Sequence, residues 1–201
     1  MADVLELELV HPVLTFRPSA RADHAGELPA EAAVRLGATI RAAAAGDEDA
    51  FATLYADYVR VVHAILLGRV PRRDVDDLVQ DVFLSAYRRM ADLRDPAAFG
   101  AWIATIARNR ATDHMRQTRE QVALPEELPG GDAIDTETFA VLEVVRRLPE
   151  AYRETLLMRL VEGMSGQEIA DRTGLSAGSV RVNLHRGMKL LREQLGWHAD
   201  E

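Results

Sequence analysis

Apolar residues recur at helical spacing through a segment in the middle of the chain. Between residues 74 and 90 they follow an i, i+3, i+4, i+7 pattern without interruption: Val75, Leu78, Val79, Val82, Phe83, Ala86, Tyr87 and Met90. A stripe of this kind makes one face of a helix apolar, and that face must be buried against other helices. The same spacing returns after Asp47 and after Pro96. The sequence therefore predicts an all-α fold built from packed helices.

The helical pattern divides into two parts. Residues 118–137, "TREQVALPEELPGGDAIDTE", contain two prolines, a Gly-Gly pair and an excess of acids, which is typical of a flexible acidic linker. We expect a helical domain at 37–117 before this linker and a smaller four-helix domain at 138–196 after it. A short tail at 197–201 completes the chain.

The first 36 residues differ from the rest of the chain. Residues 1–36 have little helical periodicity and contain three prolines. Within them, "VLELELV" alternates apolar and acidic residues, as a short strand does. We interpret this segment as a mostly disordered arm. A misassigned translation start is the alternative explanation.

Composition excludes several classes of chemistry. The chain has no cysteine, so disulfides, thiolate catalysis and cysteine-bound zinc are excluded. Its six histidines stand singly without metal-ligand spacing, and His63 lies near an apolar helix face, where a core position is expected. Asp113 and His114 are adjacent, so they do not face each other on a helix. With no glycine-rich phosphate loop either, we expect a non-enzyme with no catalytic residue, metal site or cofactor.

The charge distribution limits how this chain approaches DNA. The formal net charge is −8, whereas free DNA-binding domains usually carry a basic surplus, because phosphate neutralisation supplies most of their affinity. Residues 177–192 nevertheless hold four arginine and lysine residues and no acid, and residues 104–119 hold four arginines and one acid. If this chain binds DNA, either these two basic segments make the contacts or a partner supplies the affinity.

Nothing in the sequence predicts secretion or membrane insertion. We find no apolar run long enough to span a bilayer, and the N-terminal residues include acids where a signal peptide needs bases. The expectation is a cytoplasmic protein.

Residues 166–193, "GQEIADRTGLSAGSVRVNLHRGMKLLRE", have the pattern of a helix-turn-helix. Ser165, with a glutamate three residues later, predicts a capping box at the start of the first helix. Gly174 provides the tight turn, and Leu175 is expected to plug it. Two residues of the second helix are expected to face the core: Val180 and Leu184.

The second helix carries a basic stripe. Four bases fall at i, i+4, i+8 and i+11 and share one exposed side, with Arg186 beside them: Arg181, His185, Lys189 and Arg192. Such residues suit contacts to phosphates and base edges in the major groove. The alternative is a solvated helix whose last turn attracts cations through the helix dipole. That alternative accounts for Lys189 and Arg192, but not for the turn or for bases one turn inside the helix.

The helix at 74–90 has an acidic outer face. The residues opposite its apolar arc are Asp74, Asp77, Asp81, Ser85 and Arg88. On the helical wheel, Leu84 lies between Asp77 and Gln80. Acids around one apolar residue suit a basic protein partner. A plain solvated face is the alternative, since single exposed leucines are common.

The chain resembles bacterial sigma factors of the sigma-70 family. The resemblance is carried by the segments "DVDDLVQDVFLSAYRRM" and "FGAWIATIARNRATDHMR", which are followed by the linker and the helix-turn-helix. The resemblance is to the extracytoplasmic-function (ECF, group IV) class and covers about residues 38–196. It implies a sigma2-like helical bundle and a sigma4-like four-helix domain. It also implies three partners: core RNA polymerase through its β′ clamp helices and β flap, promoter DNA, and an anti-sigma factor.

The resemblance assigns residues to three surfaces. The acidic surface, for core polymerase, comprises Asp74, Asp77, Gln80, Asp81 and Leu84. The −10 surface, whose loop at 92–97 takes up a flipped base, comprises Arg94, Asp95, Pro96, Trp102, Arg108, Asn109, Arg110 and Arg116. The −35 surface comprises Ser176, Ser179, Arg181, Asn183, His185, Arg186 and Lys189.

Three qualifications accompany these assignments. Most of the Trp102 side chain is expected to lie in the core. The family often has arginine at the positions of Asn183 and Met188, so we expect fewer phosphate contacts there. Asn183 offers a bidentate contact to adenine instead.

Two other functional classes stay open. An autonomous helix-turn-helix regulator with a sensing or dimerisation domain predicts tight duplex binding by the isolated protein, which the net acidity disfavours. A pure interaction protein, such as a sigma antagonist, leaves both basic segments unexplained.

Overall fold

The computed structural model describes residues 30–119 and 136–197. These residues belong to two compact units, one on each side of the predicted linker. All regular structure in the two ranges is helical, which confirms the all-α prediction.

Each unit contains four α-helices within the described ranges. The N-terminal unit has α1 (Ala30–Ala44), α2 (Glu48–Leu67), α3 (Val75–Arg89) and α4 (Phe99–Arg119). Short 3₁₀ turns in this unit lie at Arg72–Asp74, Met90–Asp92 and Pro96–Ala98. The C-terminal unit has α5 (Thr136–Arg147), α6 (Glu150–Leu160), α7 (Gly166–Thr173) and α8 (Ala177–Leu195).

Helix α2 is the centre of the N-terminal unit and packs against α1, α3 and α4. Asp47 caps its first turn by accepting a hydrogen bond from the Ala50 amide at 3.0 Å. From Val61 to Leu67 every residue is buried. Facing side chains from α4 complete this core: Phe99, Ile103 and Ala107.

The apolar composition of α2 corrects one expectation. By length and composition this helix is apolar enough to cross a membrane, although the sequence analysis found no such segment. Half of its apolar window is buried inside the unit. Contact with three neighbouring helices accounts for that composition, since a helix that is apolar on most sides is typical of a domain core.

Helix α1 begins earlier than predicted. It starts at Ala30, so residues 30–36 of the predicted arm are helical rather than disordered. Ile40 and Ala43 are buried against the rest of the unit, and such packing supplies most of the stability of a helix with weak periodicity. The segment "VLELELV" and the remainder of the arm lie outside the described residues.

The predicted linker is shorter than 118–137. Helix α4 continues to Arg119, beyond the expected domain end at residue 117, and α5 begins at Thr136. Residues 120–135 lie outside the described part of the chain.

Tyr87 is the exception in the predicted apolar stripe of α3. Its side chain is exposed, whereas the other seven predicted positions are buried. The Tyr87 ring packs edge-on against Phe51 of α2, with 4.9 Å between ring centroids. A tyrosine suits this margin of the core because its ring is apolar and its hydroxyl prefers water.

The helix-turn-helix of the C-terminal unit is formed by α7 and α8. The capping box is present: Ser165 Oγ accepts from the Glu168 amide at 3.2 Å, and Glu168 Oε2 accepts from the Ser165 amide at 2.7 Å. Gly174 ends α7 with φ of 72°, in the left-handed region that favours glycine. Ser176 then caps α8.

One expectation about this motif was wrong. Leu175 does not plug the turn, because its side chain is 39% exposed. The core there is filled by Ile169 and Val180, with Leu184 packed against them. Met188 is buried, so its side chain packs inside the unit and is not positioned for phosphate contact.

Helices α6 and α8 approach closely at Gly187. A Cβ at this position would lie 2.9 Å from Leu156 Cδ1 and 3.2 Å from Tyr152 Cβ. Both distances are shorter than ordinary van der Waals contact. The absence of a side chain at Gly187 therefore sets how deeply α8 packs.

Candidate functional site

Helix α3 exposes part of the predicted acidic surface. Asp77 and Gln80 are exposed, and Leu84 is 47% exposed although it is apolar. These three residues lie on the side opposite the buried stripe that packs α3 against α2 and α4. The expected combination of an acid, an amide and one exposed leucine is present on this side.

The other two residues of the acidic surface contact α4. Asp81 Oδ2 accepts a hydrogen bond from Arg110 Nη2 at 2.6 Å. Asp74 Oδ2 lies 2.9 Å from His114 Nε2, and Asp74 Oδ1 lies 3.6 Å from Arg73 Nε. Asp74 and Asp81 therefore fasten α3 to α4 as well as bordering the exposed side.

Asp76 makes the corresponding contact to α2. Its Oδ1 lies 3.5 Å from Nε2 of His63, which is buried as predicted. Burial lowers the pKa of His63, because removing the charged form from water is unfavourable; the Asp76 carboxylate opposes this shift and Arg72 adds to it. Two His–Asp pairs, one to each neighbouring helix, thus hold the beginning of α3.

The loop before α4 has a defined shape. Asp95 Oδ1 accepts from the Ala97 amide at 3.0 Å and so caps the 3₁₀ turn that contains Pro96. A Cβ on Gly37 of α1 would lie 3.5 Å from Pro96 Cβ, so α1 packs directly against this turn. Arg94 and Asp95 are exposed, and Pro96 is half-buried. The loop is open to solvent on one side and supported by α1 on the other.

Helix α4 distributes its predicted −10 residues unevenly. Arg108 is only 9% exposed and donates a hydrogen bond to Thr105 Oγ1 at 2.8 Å. Trp102 is half-buried, with its ring 5.8 Å from that of Phe99. Asn109 is exposed. Its neighbours on the exposed part of α4 are also polar: Arg110 is half-exposed, and Arg116 is exposed and lies 3.2 Å from Asp113.

This arrangement separates the predicted −10 residues into two groups. Asn109 and Arg116 present their side chains to solvent, where a DNA strand can reach them. Arg108 lies in the interior, and Arg110 is paired with Asp81. Asp113 pairs with Arg116, and His114 pairs with Asp74. This agrees with the expectation that the adjacent residues Asp113 and His114 do not face each other.

Helix α8 presents most of the predicted −35 residues. Ser176 Oγ accepts from the Ser179 amide at 3.1 Å, and the two hydroxyls lie 2.9 Å apart, so both serines form the cap at the start of the helix. Asn183 is half-buried. The exposed basic residues are Arg181, His185, Arg186 and Lys189. The N-terminal turns of α8 thus carry a basic, solvent-facing surface, as a recognition helix does.

One exposed residue of α8 was not predicted as part of this surface. Val182 is 45% exposed in the middle of this basic surface. The helical wheel of residues 177–192 contains the signal, because Val182 lies opposite the apolar positions. Within the described ranges no group of His, Asp or Glu has the arrangement of a metal site.

Two family models match the chain. The model described as Sigma-70 region 2 matches residues 54–121, which include α3 and α4. The model described as Sigma-70, region 4 matches residues 138–191, which include the helix-turn-helix.

Individual relatives support the same family. The chain is 32% identical to the RNA polymerase sigma factor CarQ of Myxococcus xanthus, over 75% of this chain and 92% of CarQ. It is 30% identical to the ECF RNA polymerase sigma factor BldN of Streptomyces coelicolor, over 89% of this chain and 69% of BldN. The match to RfaY of Xanthomonas campestris, a probable RNA polymerase sigma factor, is 34% identical and covers 76% of this chain but 42% of RfaY.

A solved structure agrees with these matches. CnrH, in complex with the cytosolic domain of CnrY, is similar with a TM-score of 0.56 and 27% identity, over 81% of this chain and 97% of CnrH. Two family models in the expected order, together with CarQ and BldN matched over 92% and 69% of their own lengths, identify one family. The chain belongs to the extracytoplasmic-function sigma factors of the sigma-70 family, which are initiation factors of bacterial transcription.

Proposed function

We propose that this sigma factor binds core RNA polymerase through the exposed side of α3 and directs it to promoters. The observation that carries the proposal is Leu84, an exposed leucine bordered by Asp77 and Gln80. Acids around an apolar residue complement a basic protein surface with an apolar depression, because charges steer the encounter and the leucine gains from burial. The β′ clamp helices of the polymerase are the proposed partner for this side, and the β flap is proposed for the C-terminal unit.

The −10 element is proposed to contact the N-terminal unit at the loop of residues 92–97 and the exposed part of α4. The loop is supported by α1 through Gly37 and Pro96. A loop held in place by a neighbouring helix suits a flipped base, since stacking and edge contacts must offset the cost of unstacking. Asn109 and Arg116 are the proposed contacts to the opened strand. Arg108 is proposed to support the helix from inside.

The −35 element is proposed to contact α8. Four exposed bases, Arg181, His185, Arg186 and Lys189, lie on the first four turns of this helix. In a helix-turn-helix these turns enter the major groove, where such side chains contact phosphates and guanine edges. The net charge of −8 limits binding by the protein alone, so the polymerase supplies part of the affinity for the promoter.

We also propose an anti-sigma factor that covers the exposed side of α3 when transcription is not required. The support is the resemblance, together with CnrH, which was solved in complex with the cytosolic domain of a second protein, CnrY. An antagonist that occupies Leu84 and Asp77 competes directly with the polymerase. In this scheme the protein acts in the cytoplasm, and catalysis is carried out by the polymerase and not by this chain.

Run-off transcription with purified core enzyme tests the proposal. The template set is a library of genomic fragments, including the region upstream of the gene itself. The expected result is discrete transcripts that require both this protein and core enzyme. If no fragment yields such a transcript, the proposal is wrong. Tight duplex binding by the isolated protein, measured in parallel by electrophoretic mobility shift, would indicate an autonomous regulator instead.

A further inference from the structure

Val182 lies at the centre of the outward side of α8. The buried side of the helix is formed by Val180, Gly187, Met188 and Leu191. At 3.6 residues per turn, the nine positions from Val182 to Leu191 correspond to two and a half turns, so the two side chains point in opposite directions. Leu191 is fully buried and Val182 is 45% exposed. Val182 is therefore the residue that projects most directly away from the core.

The neighbours of Val182 on this side are polar. Ser179 lies one turn before it, and His185 and Arg186 lie one turn after it; all three are exposed. Val182 is also the sixth residue of α8, within the N-terminal turns that contact base edges in a helix-turn-helix. A single apolar side chain thus occupies the middle of a surface that otherwise offers hydrogen-bond donors.

The chemistry of the major groove restricts what this valine can contact. Among the four bases, only thymine presents an apolar group on the major-groove edge, its 5-methyl group. The other edges offer donors and acceptors that valine cannot satisfy. Single exposed apolar residues are common on protein surfaces, but a chance position carries no preference for a base. A position in the recognition face predicts one.

We propose that Val182 selects a thymine in the −35 element by packing against its 5-methyl group. The inference rests on the proposed function and adds a specificity-determining residue to the −35 surface. Ser179 and Arg186 flank Val182, so the bases or phosphates next to this thymine are their expected partners. The −35 element of this sigma factor is therefore expected to contain at least one thymine whose methyl group is required.

The test removes the methyl group from the DNA and the side chain from the protein. Reconstituted holoenzyme is titrated with promoter duplexes from the run-off assay in which each −35 thymine is replaced, one at a time, by deoxyuridine. Deoxyuridine pairs as thymine does and lacks only the methyl group. At one position we expect the Kd to rise about fourfold, the effect of burying one methyl-sized group. Val182→Ala should raise the Kd for the thymine duplex by a similar factor.

The two changes should not add. In the Val182→Ala holoenzyme, deoxyuridine at the sensitive position should cause no further loss, because the contact is already absent. Leu175→Ala is the matched control: Leu175 is an exposed apolar residue of the same motif, and its removal should leave the deoxyuridine profile unchanged. Circular dichroism of both variants establishes that α8 is intact.

Two results would overturn the inference. One is a wild-type holoenzyme that binds the promoter equally well with deoxyuridine at every −35 position. The other is a sensitive thymine that stays equally sensitive in Val182→Ala, which would assign the methyl contact to another residue. Either result leaves the proposed function intact. A holoenzyme that binds no unmodified promoter contradicts the proposed function, and this inference with it.

Discussion

Arg110 Nη2 lies 2.6 Å from Asp81 Oδ2, so two residues assigned to different surfaces form one ion pair. Asp81 belongs to the acidic surface and Arg110 to the −10 surface. Both side chains are close to half-exposed, at 48% and 43%. A substitution at Asp81 therefore releases Arg110 as well, and a loss of polymerase binding has two explanations. The pair must be reversed, not only broken, to separate them.

Charge reversal of this pair distinguishes the two explanations. Asp81→Arg alone places two cations side by side and should lower both stability and core binding. Asp81→Arg with Arg110→Asp restores the pair, and stability should return to within about 1 kcal/mol of wild type, the usual contribution of a partly exposed ion pair. Core binding should stay weak, because a basic partner requires the acid on α3. Recovery of wild-type binding in pull-down assays would mean that Asp81 acts only through the ion pair between positions 81 and 110.

Asp77 is the cleaner test of polymerase docking. It is exposed on the same side of α3 as Leu84. Asp77→Arg should weaken core binding about tenfold or more, since it turns an attraction across the interface into a repulsion. Asp76→Arg is the matched control for charge, one residue away; because it also breaks the contact with His63 of α2, urea unfolding of both variants separates a loss of docking from a loss of stability. Competition binding to core enzyme measures both, and equal losses would remove the assignment of this side.

Arg181 is exposed on the first half of α8, and its removal should weaken promoter binding by holoenzyme without abolishing it. Loss of one phosphate contact should also reduce the slope of log K against log salt by about one. Arg147→Ala provides the control, because Arg147 is an exposed arginine on α5 with the same charge. The measurement is fluorescence anisotropy at several salt concentrations. An unchanged slope in Arg181→Ala would assign the phosphate contacts to other residues.

Gly187 is predicted to be the least tolerant glycine of the recognition helix. In Gly187→Ala the new methyl group would meet Leu156 and Tyr152 at 2.9–3.2 Å. The expected loss of stability is about 1–3 kcal/mol, typical of an overpacked core. Gly178→Ala is the control on the same helix, where the nearest atom is Ser176 Oγ at 3.8 Å; it should be neutral or stabilising. Urea unfolding compares the two, and equal stability would contradict the close approach of α6 and α8.

His63 should make the N-terminal unit less stable in mildly acidic solution. Burial lowers its pKa from the ordinary value of 6.5, so the unfolded chain binds the proton more readily than the folded one. Stability should therefore fall as the pH drops below about 6.5 and reach a plateau above it. His63→Gln removes this titration. Urea unfolding from pH 5.5 to 7.5 measures the slope, followed by Trp102 fluorescence in a Trp197→Phe background. An identical slope in the two proteins would contradict the assignment.

The spacing of apolar residues predicted the helices well, because the need to bury one helix face determines both that spacing and the packing of the helix. The stripe of α3 was correct at every position but Tyr87, where an exposed aromatic side chain lies at the margin of the core against Phe51. The capping box at Ser165 was also predictable, because its two hydrogen bonds join residues three apart in the chain. The start of α1 was missed, since its stability comes from tertiary contacts at Ile40 and Ala43.

Surface roles were harder to predict because side-chain partners come from distant parts of the sequence. The sequence around Arg110 does not indicate that Asp81 lies beside it, and the sequence around Arg108 does not indicate that its side chain is buried. Leu175 was expected to be buried and is exposed, and the close approach of α6 and α8 at Gly187 likewise joins residues far apart in the sequence. Val182 was predictable from the helical wheel, because it lies opposite the apolar positions of α8.

The close approach at Gly187 also has a practical consequence for redirecting this sigma factor to new promoters. A recognition helix transplanted from another protein will seat at the same depth only if it brings a glycine to this position and an apolar residue of similar volume to that of Met188. A graft that keeps these two residues and exchanges only the outward positions should retain the registration of the helix in the groove. A graft chosen by base preference alone would tilt the helix and displace every base contact at once.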